Sequence, residues 1–125
     1  MILNLTQHSA TPEQIRAGVV DLPEDERSEL QSLLTFEQLP TAKEIGDRAI
    51  AIAAIASRFV GEEIFPQALI YGEPYLMSSL EWYLRGAGIA PIYAFSVRES
   101  IEETITEGSV RKVAVSKHVG FISAL

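Results

Sequence analysis

Short apolar runs alternate with segments that read as helices, and this alternation restricts the chain to few folds. Residues 2–6, 19–22, 67–71 and 89–95 are brief, apolar and bounded by turn-forming residues, the signature of buried strands. Thr11 reads as a helix N-cap with Pro12 at the first helical position. Gln14, three residues after Thr11, completes a capping box. Gly18 stops that helix early. Pro23 opens a charged helix over 23–34 with Leu30, Leu33 and Leu34 on its apolar side. After a connector at 35–40, Thr41 and Glu44 mark the start of a helix reaching about residue 60. Pro74 opens the last helix, which places Leu76, Met77, Leu80, Tyr83, Leu84 and Ala87 at helical spacing and ends at Gly88. Strands that alternate with helices in this way predict an α/β fold, a mainly parallel sheet with crossover helices.

The C-terminal third breaks the pattern. Residues 101–106 and 110–122 flank Glu107-Gly108-Ser109 and predict a β-hairpin. In its second arm Val113, Val115, Lys117, Val119 and Phe121 share one face by period two. One helical stretch, residues 49–56, is apolar all round. Such a helix is either deeply buried or packed on a second subunit, and a small domain offers little room to surround it. A homodimer contact is therefore expected there.

The length of 125 residues suits a single domain spanning 1–125 with one real core. Without cysteine, disulfides, thiolate nucleophiles and cysteine metal sites are excluded. No signal peptide is visible, and the longest apolar stretch is far short of the ~20 residues that span a bilayer. A cytoplasmic protein without membrane contact is expected. The net charge of −7 argues against a long nucleic acid as partner, because such binding needs a basic face. It leaves room for a small anion held by a few arginines and backbone amides. No aspartate–histidine cluster suggests a metal, and no cofactor is expected. The loop after the first strand has neither a glycine-rich dinucleotide fingerprint nor a phosphate-loop lysine motif.

In open parallel sheets, ligands bind beyond the carboxyl ends of the strands where the strand order reverses. The first strand's end supplies Gln7, His8, Ser9 and Thr11. The third supplies Gly72, Glu73 and Tyr75, and the fourth supplies Ser96, Arg98, Glu99 and Ser100. These loops are expected to converge. His8 can shuttle a proton near neutral pH, or it can simply hydrogen-bond backbone. Ser9 and Thr11 can donate to an anion, although Thr11 is at least a cap. Arg98 offers a guanidinium fork for phosphate oxygens, or a salt bridge to Glu99 or Glu102. Glu73 reads as an acid or base, or as a charge favouring the helix that starts at Pro74. His118, Lys117 and Trp82 read as solvated-edge and packing residues.

The opening strand, the segment His8-Ser9-Ala10-Thr11-Pro12-Glu13-Gln14 and the following Val19-Val20-Asp21-Leu22-Pro23 resemble the small CRISPR-associated proteins with a Rossmann-like, CARF-type half-domain. Some of those families are ring nucleases that cleave cyclic oligoadenylate signals. The resemblance implies a Rossmann-like fold and a homodimer whose symmetric cleft takes a cyclic nucleotide. His8 carries over most directly, with Ser9 and Thr11 beside it; Arg98 is placed by the strand reading. The function expected on this basis is metal-independent cleavage of a cyclic oligonucleotide. Two alternatives stay open: a sensor or sponge that binds without cleaving, and a dimeric interaction module without a ligand.

Overall fold

A computed structural model describes residues 1–106 and 108–124. Nine elements follow in the order β1 (Ile2–Leu5), α1 (Pro12–Arg16), β2 (Val19–Asp21), α2 (Glu24–Leu34), α3 (Ala42–Val60), β3 (Gln67–Ile70), α4 (Pro74–Gly86), β4 (Ala90–Thr106) and β5 (Ser109–Ser123) among these residues. They form a five-stranded mixed sheet of order β2-β1-β3-β4-β5. The first four strands are parallel and β5 runs antiparallel to β4. The expected α/β class and mainly parallel sheet are therefore present.

Period-two alternation sorts the strand residues between two faces. Leu3, Leu5, Ala68 and Ile70 join one apolar cluster with the buried faces of α2, α3 and α4. Ile2, Val19, Leu69 and Ile92 form a smaller cluster on the opposite side, with Ala10 and the half-buried Phe121. The imbalance follows from right-handed crossovers. The step from β1 to β2 runs one way along the sheet, while the later parallel steps run the other. This puts α1 opposite α2, α3 and α4, and α1 has only five residues and buries none.

Three expectations change. Within the apolar stretch of α3, residues Ala49, Ile52, Ala53, Ile55 and Ala56 are buried inside this one chain. Only Ile50 and Ala54 on its outer side stay exposed. A domain of this size does surround the helix, because α2, α4 and the sheet all pack on it. The stretch thus gives no argument for a subunit contact. The fourth strand also does not end at residue 95. β4 continues for 17 residues, and polar Ser96, Arg98, Glu99 and Ser100 lie within it rather than in a loop. No glycine or proline interrupts 96–106, and a ribbon wetted on both sides needs no apolar run to persist.

β4 pairs with β3 only from Ala90 to Ile92, but with β5 along nearly its full length. The remainder projects past the sheet as a two-stranded arm. A register slip between Phe95 and Ser96 sets Phe95 opposite Gly120 and Ser96 opposite His118. One slipped residue reverses side-chain parity. Val113, Val115, Lys117, Val119 and Phe121 consequently do not share a single face. Of the expected turn Glu107-Gly108-Ser109, Glu107 lies outside the described residues. Gly108 takes φ +79°, a left-handed conformation suited to glycine.

Two side chains tie the helical layer together. Arg48 of α3 reaches the carbonyls of Ser32, Leu33 and Thr35 at the end of α2 and stacks on Phe36, 4.2 Å from the ring centroid. The last turn of α2 has no basic residue of its own, so Arg48 supplies its missing C-terminal donors. Tyr93 stands where β4 leaves the sheet and donates to Glu81 Oε2 at 2.7 Å. Burial and the Glu81 bond push its phenol well above the usual tyrosine range.

Replacing Arg48 by Ala should destabilise the fold by about 2 kcal/mol in urea titrations, because charged hydrogen bonds and a ring stack are lost together. Tyr93 binds its proton more tightly when folded, so its contribution is complete below the unfolded value of about 10 and is lost as pH rises above that. Thermal melts across alkaline pH should show this decline in the wild type and a shallower one in Tyr93→Phe.

Candidate functional site

β1 and β3 are neighbours, and the chain leaves their carboxyl ends in opposite directions along the sheet. Such a reversal leaves a crevice that crossing segments do not fill. Here the crevice is a cleft of about 450 Å³ lined by Gln7, His8, Leu34, Tyr71, Gly72, Glu73 and Pro74. That volume falls in the range of small-molecule sites, roughly 300–1,000 Å³. The first and third strand ends meet as the sequence suggested, bringing Gln7 and His8 together with Gly72 and Glu73.

The β1 side of the cleft is held by Asn4, a buried polar residue in the sheet. Its Nδ2 donates to His8 O at 2.8 Å and to Asp21 Oδ1 at 2.7 Å. Its Oδ1 accepts from Thr6 N at 3.0 Å and Thr6 Oγ1 at 2.8 Å. Asp21 Oδ1 also accepts from Ala10 N at 3.0 Å. Both ends of the turn 6–10 are therefore bonded back to β1 and β2. The side chain of His8 is left exposed at the cleft, and among the described residues none hydrogen-bonds its imidazole.

Two side chains of α2 brace the same turn from outside. Arg27 Nη2 donates to Ser9 Oγ at 2.8 Å, and Gln31 Nε2 donates to Gln7 O at 3.3 Å. Thr11 is engaged in the capping box: its Oγ1 accepts from Gln14 N, while its own N–H bonds Gln14 Oε1. Because α1 is a little over one turn long, it adds little macrodipole for an anion at Ser9 and Thr11. The longer α4 starts at the cleft with Pro74 at its first position. Glu73 just before it favours that helix end and opposes an anion at the same place.

Ser96 and Arg98 stand elsewhere. Both are exposed on the arm, in register with His118 and Ser116, and neither lines the cleft. His118 makes a different link, its backbone N–H donating to Glu13 Oε2 of α1 at 3.2 Å and its ring lying 4.9 Å from that of Phe121. Trp82, expected to pack, is 72% exposed on α4. Tyr75 packs edge-on against Phe36.

Tyr71, Arg27 and Gln31 stand at or beside the cleft without a motif to mark them. Tyr71 is 72% exposed beside the cleft and offers an aromatic face. Arg27 and Gln31 are four residues apart on one helix, a spacing that puts both on one face and would have marked them as a pair. A larger hollow of about 700 Å³ lies between α2 and α3, lined by Gln31, Glu37, Glu44 and Arg48 among others. Its arginine is already committed to the α2 carbonyls and to Glu44. Among the described residues no group of three or more His, Asp or Glu could hold a metal ion.

The chain belongs to the family described as "Uncharacterized protein MJ1673 family", which it matches over residues 1–122. No curated protein and no solved structure matches it at a significant level.

Replacing Asn4 by Asp keeps the shape but removes the amide donor and sets a second carboxylate beside Asp21. The variant should lose about 2–3 kcal/mol at neutral pH. The new carboxyl is held neutral more readily in the folded state than in the unfolded one. Its penalty should therefore shrink, relative to wild type, as pH falls from the raised folded value towards the unfolded value of about 4. Paired urea titrations at neutral and acid pH check both points.

Proposed function

We propose that this member of the MJ1673 family is a Rossmann-like, CARF-type protein that binds a cyclic oligonucleotide at the cleft between β1 and β3 and cleaves it without a metal. The observation that carries the reading is the meeting of His8 and Gln7 with Gly72 and Glu73 at the strand-order reversal. The cyclic oligoadenylate ligand class comes from the resemblance of the first two dozen residues.

The lining suggests how such a ligand would lie. Tyr71 can stack on a base, and Gln7 and Glu73 can bond base edges or ribose hydroxyls. With an acid and no arginine or lysine in the lining, phosphate fits better towards Ser9, where Arg27 already donates. His8, between these regions, can take the proton of a ribose 2′-hydroxyl as it attacks the adjacent phosphodiester, forming a 2′,3′-cyclic phosphate and breaking the bond to the 5′-oxygen, which leaves as a hydroxyl with a proton from water. The cleft has room for a single nucleotide unit rather than a whole ring. A ring would therefore need two clefts, and so a homodimer. Arg98 and Ser96, on the arm, would act on the parts of the ring outside this cleft.

One observation favours the non-catalytic alternative, a sensor or sponge. Among the described residues nothing orients the His8 imidazole, whereas a general base is usually held by a second group.

Purified protein at high concentration should convert cyclic tri-, tetra- or hexa-adenylate to linear products within hours, followed by chromatography. His8→Ala should slow this by about a hundredfold or more. Ligand recovered whole with a raised melting temperature would select the binding module. Intact ligand without a thermal shift would reject both readings.

A further inference from the structure

The arm has one face that is built like an interface. From Ser96 to Thr104 its register with β5 is unbroken, so alternate residues share a face. One face carries Val97, Glu99, Ile101 and Glu103 from β4, opposite Lys117, Val115, Val113 and Arg111 from β5. It therefore carries four aliphatic side chains, Val97, Ile101, Val113 and Val115, with Glu99 among them, and its charges are acidic on one strand and basic on the other. The opposite face is mainly polar or small: Ser96, Arg98, Ser100 and Glu102 across from His118, Ser116, Ala114 and Lys112. Val97 is 41% and Ile101 45% exposed while Val113 and Val115 are half-buried, so within one chain the β4 side of this face is left open. A two-stranded ribbon alone is at best marginally stable in water and normally needs another layer or strand.

We propose that this face is covered by the same face of a second copy, the two arms stacked face to face about a two-fold axis parallel to their length. That operation sets each β4 over the β5 of the other copy. Ile101 then meets Val113, and Glu103 meets Arg111, across the interface. The Glu103–Arg111 bond within each arm, at 3.2 Å, thereby becomes a ring of four alternating charges. Glu99 comes diagonal to Lys117 of the second copy. The face is thus self-complementary in shape class and charge, as an isologous contact requires. Edge-to-edge pairing of two β5 strands is disfavoured, since it would bring Arg111, Lys112 and Lys117 of both copies together. This inference uses no property of the cleft and does not rest on the ligand reading.

The test is the oligomeric state of the full chain by light scattering and analytical ultracentrifugation. Wild type should be a dimer, and Ile101→Asp should raise its dissociation constant at least about tenfold. Glu103→Arg and Arg111→Glu should each weaken the dimer, because each makes the charge ring all of one sign. An equal mixture of these two variants should restore it, since each copy then faces the opposite sign on the other. Neither variant regains its own arm's ion pair in that mixture, so recovery cannot come from repair within a chain. A monomeric wild type, a dimer indifferent to Ile101→Asp, or a mixture that stays dissociated would each overturn the proposal. Binding of cyclic nucleotides by the same samples reports separately on the cleft.

Discussion

A single buried amide joins the sheet to the cleft. Asn4 is 4% exposed within a strand whose other three residues are buried apolar side chains. A polar group there is tolerable only if it is fully bonded. Its donor reaches His8 and Asp21 while its acceptor takes both donors of Thr6, so the turn cannot move without breaking those bonds. The position of His8, the link between β1 and β2 through Asp21, and the shape of the cleft wall all depend on this arrangement. Packing fixes β1 from both faces; the amide carries that rigidity past the strand's end.

The alternation of apolar runs and helix starts was enough to read the element order as far as residue 95. Local chemistry wrote most boundaries: the Thr11–Gln14 box, Thr41 bonded to Glu44 N, Pro74 at a helix start and Gly88 in a left-handed conformation. What local chemistry does not encode is which neighbours surround an element. Residues 49–56 read the same whether a partner subunit or the chain's own α2, α4 and sheet cover them. The length of β4 was hidden for a related reason. Its outer part is wetted on both faces, so its composition matches that of a loop.

The site was legible to the extent that topology fixes it. The pairing of the first and third strand ends follows from strand order alone, and Gln7, His8, Gly72 and Glu73 do come together. The apolar run of the fourth strand ends at residue 95, but the strand itself continues to Thr106. Arg98 therefore lies on the arm, opposite Ser116. Arg27 and Gln31 were overlooked because a charged helix surface normally signifies solvent. Their role shows only when the turn that they brace is located in space.

The narrow junction between β3 and β4 has a consequence for how the molecule opens. Among the described residues β4 pairs with the parallel strands only at Ala90, Pro91 and Ile92, and the arm's own pairing joins β4 to β5. β1, in contrast, is held on both sides, by partners that include strand residues more than sixty positions away. Units joined by so few bonds open and close separately from the body that carries them. Opening the arm therefore breaks fewer main-chain bonds to the rest of the sheet than opening β1 or β3 does. A contact that slows exchange in the arm alone can form and dissolve without disturbing the cleft.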